Sequence, residues 1–357
     1  MKKAWLIRGL WLCLVALLCV LAVRESLRSN DAGVRLSAGA AAESITIEGK
    51  VVHIRLAAPS ATDSPEALML TPSPVPTLSP TPSPVPTPFG FYWISDTQIY
   101  AYRLPSVLTA MARYVCASYE EHSVVALLQT GDIVDKRSDE RQWKNIVPSF
   151  SSIKEQLPLY CVAGNHDVGA DLAEYEIYSS FALCTEGKEN SDYKGGVCWY
   201  RTLNAGGTDF IIVGIGWQTD TDYVQWVNRA LYDHKDCVAI IVIHNYLKDD
   251  GSLSGNGKLV DSLIVNVNPN VRLVLCGHAG GSVCVTRWYD SGSRSVTAMM
   301  YNFQDDREAG LGYLRILMFN PLTRNIAVTT YSPFLDDFNY YTDEDEIKDT
   351  FTIRDAF

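Results

Sequence analysis

No Cys-x-x-Cys pair occurs anywhere in the 357 residues, so the nine cysteines do not supply the paired ligands of a structural zinc ribbon. Basic charge is scarce: 30 Lys and Arg stand against 41 Asp and Glu, a net charge of −11. Residues 1–28 hold five of those basic side chains against Glu25, which leaves the rest of the chain at −15. So acidic a body repels a phosphate backbone and disfavours nonspecific binding of a nucleic-acid polymer through a basic surface, so no such partner is expected. Small anionic substrates stay admissible where a metal supplies positive charge. No apolar run reaches the roughly 20 residues of a full membrane span. With 47% apolar and 20% charged residues, the chain is neither disordered overall nor collagen-like. Its length predicts one large domain with extensions, or two domains.

What is present falls into four stretches. Lys2, Lys3 and Arg8 precede a 14-residue apolar run, Leu10–Val23, the order of an export signal. Residues 1–28 therefore read as a cleaved signal peptide or a retained membrane anchor, and the second would leave the remainder outside the cytoplasm. Residues 29–70 are rich in Ala and Ser and read as poorly structured, with one strand-like patch at Ile45–Leu56 too small to fold alone. Residues 71–88 hold the heptapeptide TPSPVPT twice and eight prolines. Proline favours an extended helix without backbone donors, so this stretch is a spacer with a reach of about 50 Å, suited to holding a domain off the cell envelope or membrane.

Residues 89–357 form the expected folded body. Short apolar runs at Phe91–Ile94, Val124–Gln129, Leu159–Val162, Phe210–Ile215, Ala239–Ile243 and Val271–Cys276 predict strands. Helical candidates lie between them, at Pro105–Tyr119, Asp139–Glu155, Leu172–Leu183, Asp222–His234 and Lys258–Val267. The alternation is that of α/β layers. After residue 280 the pattern tightens to Val283–Tyr289, Val296–Tyr301, Tyr313–Phe319 and Ile326–Tyr331, which predicts a second, mostly antiparallel layer. Cys184 and Cys198 flank a polar loop and are the pair expected to oxidise outside the cell.

Five of the predicted strands end in acceptor or imidazole residues. WISDTQ carries Asp96 and Gln98; LLQTGDIVD carries Asp132 and Asp135; YCVAGNHD carries Asn165, His166 and Asp167; AIIVIHN carries His244; VRLVLCGH carries His278. Parallel strands bring their carboxyl ends to one sheet edge, where open α/β sheets bind ligands, so the five clusters should converge. An Asp or Asn after a strand is often only a helix cap. Two strand-terminal histidines together with three such clusters are not explained that way. Imidazole and carboxylate donors without thiolate suit Mn, Fe or Zn.

In this order the motifs resemble those of the calcineurin-like metallophosphoesterase superfamily, most closely its extracytoplasmic Gram-positive members. The resemblance implies a four-layer αββα sandwich of two mixed sheets, a phosphate monoester or diester as substrate, and hydrolysis by a metal-activated water. It also implies two divalent ions bridged by Asp132. Asp96 and Gln98 would face the first ion, Asn165, His244 and His278 would join Asp132 on the second, and His166, oriented by Asp135, would stand by the leaving group. The sequence departs from the family pattern twice: Gln98 stands where His is usual, and Gly280 where a second His follows the Gly-His pair. Both departures fall on the first ion, so one firmly bound ion and a labile or absent partner are expected. A degenerate surface protein that binds phosphate groups without catalysis is the alternative.

Overall fold

A computed structural model describes residues 86–357, apart from 170–171, 182, 189–190, 219–220, 305–306 and 342–347, together with strands β1 (Glu43–Ile47) and β2 (Lys50–Ile54). The chain divides into a unit Met1–Ser79 and a unit Pro80–Phe357. In the first, β1 and β2 pair antiparallel where the strand-like patch was expected. The apolar run at Leu10–Val23 and most of the proline-rich spacer lie outside the described residues. Among the described residues no helix is long and apolar enough to cross a membrane.

The second unit contains two mixed sheets flanked by helices. In the first sheet β3 (Phe89–Ile94), β4 (Val124–Gln129) and β5 (Leu159–Cys161) run parallel. In the second, β8 (Thr208–Ile215), β9 (Val238–Ile243) and β10 (Val271–Cys276) do the same, and β7 (Cys198–Ala205) and β6 (Asp192–Tyr193) extend the β8 edge antiparallel.

The later strands form no layer of their own, contrary to the expectation from their spacing. β12 (Arg294–Asn302) lies parallel to β10 in the second sheet, with β11 (Gly281–Tyr289) antiparallel on its far side. β13 (Leu314–Asn320), β14 (Asn325–Ser332), β15 (Asp337–Phe338) and β16 (Phe351–Ile353) join the first sheet on the β3 side. The reason is the edge: without these strands β3 and β10 would each be paired on one side only, and an open row of backbone donors and acceptors is satisfied by the next strand laid along it.

Residues alternate between two cores. Phe91 and Trp93 of β3, Leu128 of β4, and Ile240 and Val242 of β9 point between the sheets. Tyr92, Ile94 and Ile241 belong to the outer cluster with Leu108, Met111 and Val115 of helix Pro105–Ser118, Ile146 and Phe150 of helix Glu140–Lys154, and Val227 of helix Tyr223–Asp233. Burying such a Phe, Leu or Ile contributes about 1.5–3 kcal/mol. A strand covered on both faces has no polar side, which is why these strands read as unbroken apolar runs.

Cys184 and Cys198 are both thiols and not a bridged pair. Cys198 is buried at the start of β7, where its sulfur accepts from Gln218 Nε2 at 3.4 Å, and Cys184 turns its sulfur to the Thr185 carbonyl at 3.7 Å.

Candidate metal centre

The carboxyl ends of β3, β4 and β5 meet those of β8, β9 and β10. Backbone and side-chain bonds cross directly between the sheets here: His244 Nδ1 to the Thr130 carbonyl at 2.8 Å, His278 N to Asp96, and Trp217 N to the Ala163 carbonyl at 2.9 Å. Three of the residues at these strand ends hold left-handed backbone without being glycine: Asp96 at φ 51°, Asp132 at φ 54° and His278 at φ 72°. Such conformations cost about 1–3 kcal/mol each and persist where surrounding structure holds them, typically at functional sites.

Around His244 the donors converge. Its Nε2 lies 3.1 Å from Asn165 Oδ1, 3.2 Å from Asp132 Oδ2 and 3.2 Å from His278 Nδ1. One ligand atom from each of Asp132, His244 and His278 falls within 4.8 Å of the others. A single ring nitrogen cannot give hydrogen bonds to three acceptors, whereas a cation among these lone pairs satisfies them together. With Nδ1 donating to Thr130, neutral His244 presents the lone pair of Nε2, the arrangement usual for a ligating imidazole.

The electrostatics without an ion agree. Burial opposes a charge on His244, but Asp132 and then Asp96 and the Thr130 carbonyl lift its pKa to about 9. Burial pushes Asp96 up to about 7 against the pull of His244, and Asp132 adds to the rise. Asp132 is also penalised by burial, yet His244 and the His166 backbone keep its pKa below the ordinary carboxylate value. Burial and the neighbouring His244 lower His278 to about 4. His244 and Asp96 are thus the groups shifted toward holding protons that a divalent ion replaces, while Asp132 and His278 already present lone pairs. The donor set fits such an ion.

The Asp96 flank is thinner. Asp96 accepts from Ser95 Oγ at 2.5 Å and from His278 N at 3.2 Å. Gln98, 2% exposed, donates Nε2 to Asp132 Oδ2 at 3.3 Å and leaves Oε1 buried with no hydrogen-bond partner. An orphaned buried oxygen is costly, and a cation is one way to satisfy it. Gly280 offers no side chain, and a Cβ there would meet nothing within 4 Å.

His166 is half-exposed next to this cluster. Its Nδ1 lies 2.8 Å from the Asp135 backbone carbonyl and 3.6 Å from the Asp135 carboxylate, so the nearer contact is main chain. His166 N in turn donates to Asp132 Oδ1 at 2.9 Å.

Several residues of the centre carried no assigned role in the sequence. Asp167 accepts from Ile133 N and Val134 N through one oxygen and from Gly164 N through the other, tying the loops after β4 and β5 together. Trp93 donates to Thr130, Thr130 to Ser95 and Ser95 to Asp96, a relay that orients the carboxylate. Trp217 packs its ring 5.7 Å from that of His278 and 6.2 Å from that of His244. The glycine of each motif is a sequence signal that could have been used: a Cβ on Gly164 would sit 2.1 Å from Asp132 Oδ1, and one on Gly277 would sit 2.1 Å from Asp96 Oδ2. Of the polar loop residues that follow these strands, Gln218 and Asn245 line a cavity beside His244, Tyr246 is buried and donates to Asp261, and Asp220 lies outside the described residues. Asn302 donates to the His278 carbonyl at 3.3 Å and accepts from Gln304 N.

Two mixed sheets whose strand ends gather Asp, Asn and His at one point define a class, and residues 89–280 match the calcineurin-like phosphoesterases. The chain belongs to that family. It is 34% identical over 280 residues to "Uncharacterized protein YvnB" of Bacillus subtilis (strain 168), an alignment covering 74% of this chain and 21% of that protein. The chain thus spans about a fifth of the length of that curated relative. Among solved structures it is similar to purple acid phosphatase PPD1 from yellow lupin (Lupinus luteus) seeds, at 12% identity and TM-score 0.49 over 75% of this chain and 54% of that one. It is also similar to TT1561 of Thermus thermophilus, at 14% identity and TM-score 0.39 over 71% and 98%.

Proposed function

We propose that this chain hydrolyses a phosphate ester at a divalent-metal centre, and that it does so outside the cytoplasm, tethered to the cell envelope or membrane through residues 1–28 and the proline-rich spacer. The observation that carries the catalytic part is the convergence of Asp132, Asn165, His244 and His278 on one point between the sheets. Export rests on the charge-then-apolar order of the N-terminus.

Asp132, Asn165, His244 and His278 would hold one ion, of Mn, Fe or Zn; Asp96, Asp132 and the Gln98 amide oxygen would hold a second more weakly. Bound divalent ions supply positive charge to the phosphoryl oxygens and a nucleophile near neutral pH. The protein's own groups do the rest. Asp132 is pinned by the His166 amide, so its oxygens keep a fixed direction. His166, with Nδ1 on the Asp135 carbonyl, has Nε2 left as the ring nitrogen that would give a proton to the departing oxygen. The Asp135 carboxylate, 3.6 Å from Nδ1, helps to hold the ring.

Gly280 favours a second reading, in which the first position is too poor in donors for turnover and the protein only binds phosphate groups. Elemental analysis of protein purified without chelator, together with hydrolysis of p-nitrophenyl esters in added Mn, Mg, Zn or Fe, separates the two. About one equivalent of metal with hydrolysis that rises as a second ion is added supports catalysis. Tight metal with no hydrolysis, and a large gain in Gly280→His, supports the binding protein. Absence of any tight metal sinks both.

A further inference from the structure

Two cavities border the ligand cluster, one lined by Asn165 and the other by His244. One, of about 510 Å³, runs past Asn165 and His166 and is walled by Lys136, Arg137, Glu174 and Ile177. The other, of about 290 Å³, runs past His244 and Asn245 and is walled by Trp217, Gln218 and Asn256. Asn165 Oδ1 from the first wall and His244 Nε2 from the second lie 3.1 Å apart. A substituent on a phosphoryl group seated against the cluster could extend toward either cavity. A monoester has one such substituent, and its three other oxygens call for charge and hydrogen bonds. A diester has two, and fills both spaces.

The walls differ in chemistry. The larger cavity holds Lys136, exposed to solvent, and an Arg137–Glu174 ion pair, so it accepts a polar or charged group. The smaller holds amides and an indole and, apart from His244, no charged side chain. Asn245 keeps a buried Oδ1 with no hydrogen-bond partner, and Asn256 Nδ2 donates to the Asn245 carbonyl at 3.0 Å. A hydroxyl or N–H on a ligand would satisfy the first of these, and a flat ring would lie against Trp217.

Resting on the phosphoesterase reading above, we infer that the substrate is an asymmetric phosphodiester. Its retained arm is uncharged, bears a ring and hydrogen-bonding groups, and occupies the amide-lined cavity beside His244; its departing arm occupies the cavity beside His166. The phosphorus–oxygen bond to the departing arm breaks, a water oxygen bonds to phosphorus, and one water-derived proton ends on the released hydroxyl. The retained monoester stays in the amide-lined cavity until it dissociates.

The test compares thymidine p-nitrophenyl phosphodiester with p-nitrophenyl phosphate on the metal-loaded protein, and, by calorimetry, thymidine monophosphate with inorganic phosphate. The diester should show at least about tenfold higher kcat/KM, and thymidine monophosphate should bind at least about tenfold more tightly than phosphate. Asn256→Leu and Trp217→Leu should each lower the diester-to-monoester ratio and shrink the calorimetric advantage. A preference for the monoester, or a thymidine monophosphate affinity no better than that of phosphate, overturns the inference. Turnover of neither ester overturns the phosphoesterase reading, and the calorimetric comparison then decides the amide-lined cavity by itself.

Discussion

The two flanks of the ligand cluster are built differently. On the His244 side, side chains from three other loops lie within 3.2 Å of one imidazole nitrogen, and His244 is wholly buried. On the Asp96 side, Gln98 Oε1 is left without a partner and a Cβ on Gly280 would meet nothing within 4 Å. The first flank is preorganised by its own hydrogen bonds and loses little freedom when an ion binds. On the proposed reading the second would bring fewer donors, all of them oxygen, and would hold an ion more weakly.

Breaking the strong flank should cost most. Asp132→Ala removes a donor common to both positions and should weaken metal binding by more than about 100-fold, read by elemental analysis after dialysis, with hydrolysis lost in parallel. Next come the glycines that let backbone approach the ligands. Gly164→Ala places a methyl 2.1 Å from Asp132 Oδ1, so one of the two must shift, and should cost about 10–100-fold in metal affinity; Gly277→Ala does the same to Asp96 Oδ2 and should be felt mainly at the proposed weaker position. Competitive chelator titration distinguishes the two. On the proposed reading, Gln98→Ala should raise the metal concentration needed for half-maximal activity by a few-fold, roughly 1 kcal/mol, without displacing an ion held by Asp132, Asn165, His244 and His278. Smallest is Gly280→Ala: its Cβ enters open space, so stability should change by no more than about 0.5 kcal/mol and the metal content not at all. A large effect of Gly280→Ala, or equal losses from Gly164→Ala and Gly277→Ala, would erase the distinction between the flanks.

The parts of the fold that could be read from the sequence are those where one physical effect dominates. Val124–Gln129 and Val271–Cys276 begin and end where the apolar runs do, because each strand is covered on both faces and its loop turns polar at once. β7 was not expected. Its residues Tyr200, Arg201, Thr202, Leu203 and Asn204 lie near the sheet edge and mix polar with apolar types, so no periodicity stands out. Helix Gln98–Arg103 was missed for another reason: six residues ending just before Pro105 are too short for a helical period to register. In the centre, His244 and His278 were conspicuous because imidazole is a poor cap at the end of an apolar strand. Trp217 was not conspicuous, since its place depends on two rings carried by other strands.

Chemical identity and order along the chain were enough to establish the donor types and the strand ends that carry them. These are properties of residue type and local pattern, and they survive without coordinates. Only the tertiary structure decided that the late strands complete both sheets, that Asp135 reaches His166 first through its carbonyl, and that separate cavities border Asn165 and His244. Each of those depends on which surfaces meet across a hundred or more residues or on how a single loop turns, and neither edge pairing nor empty volume is written in any one stretch of chain.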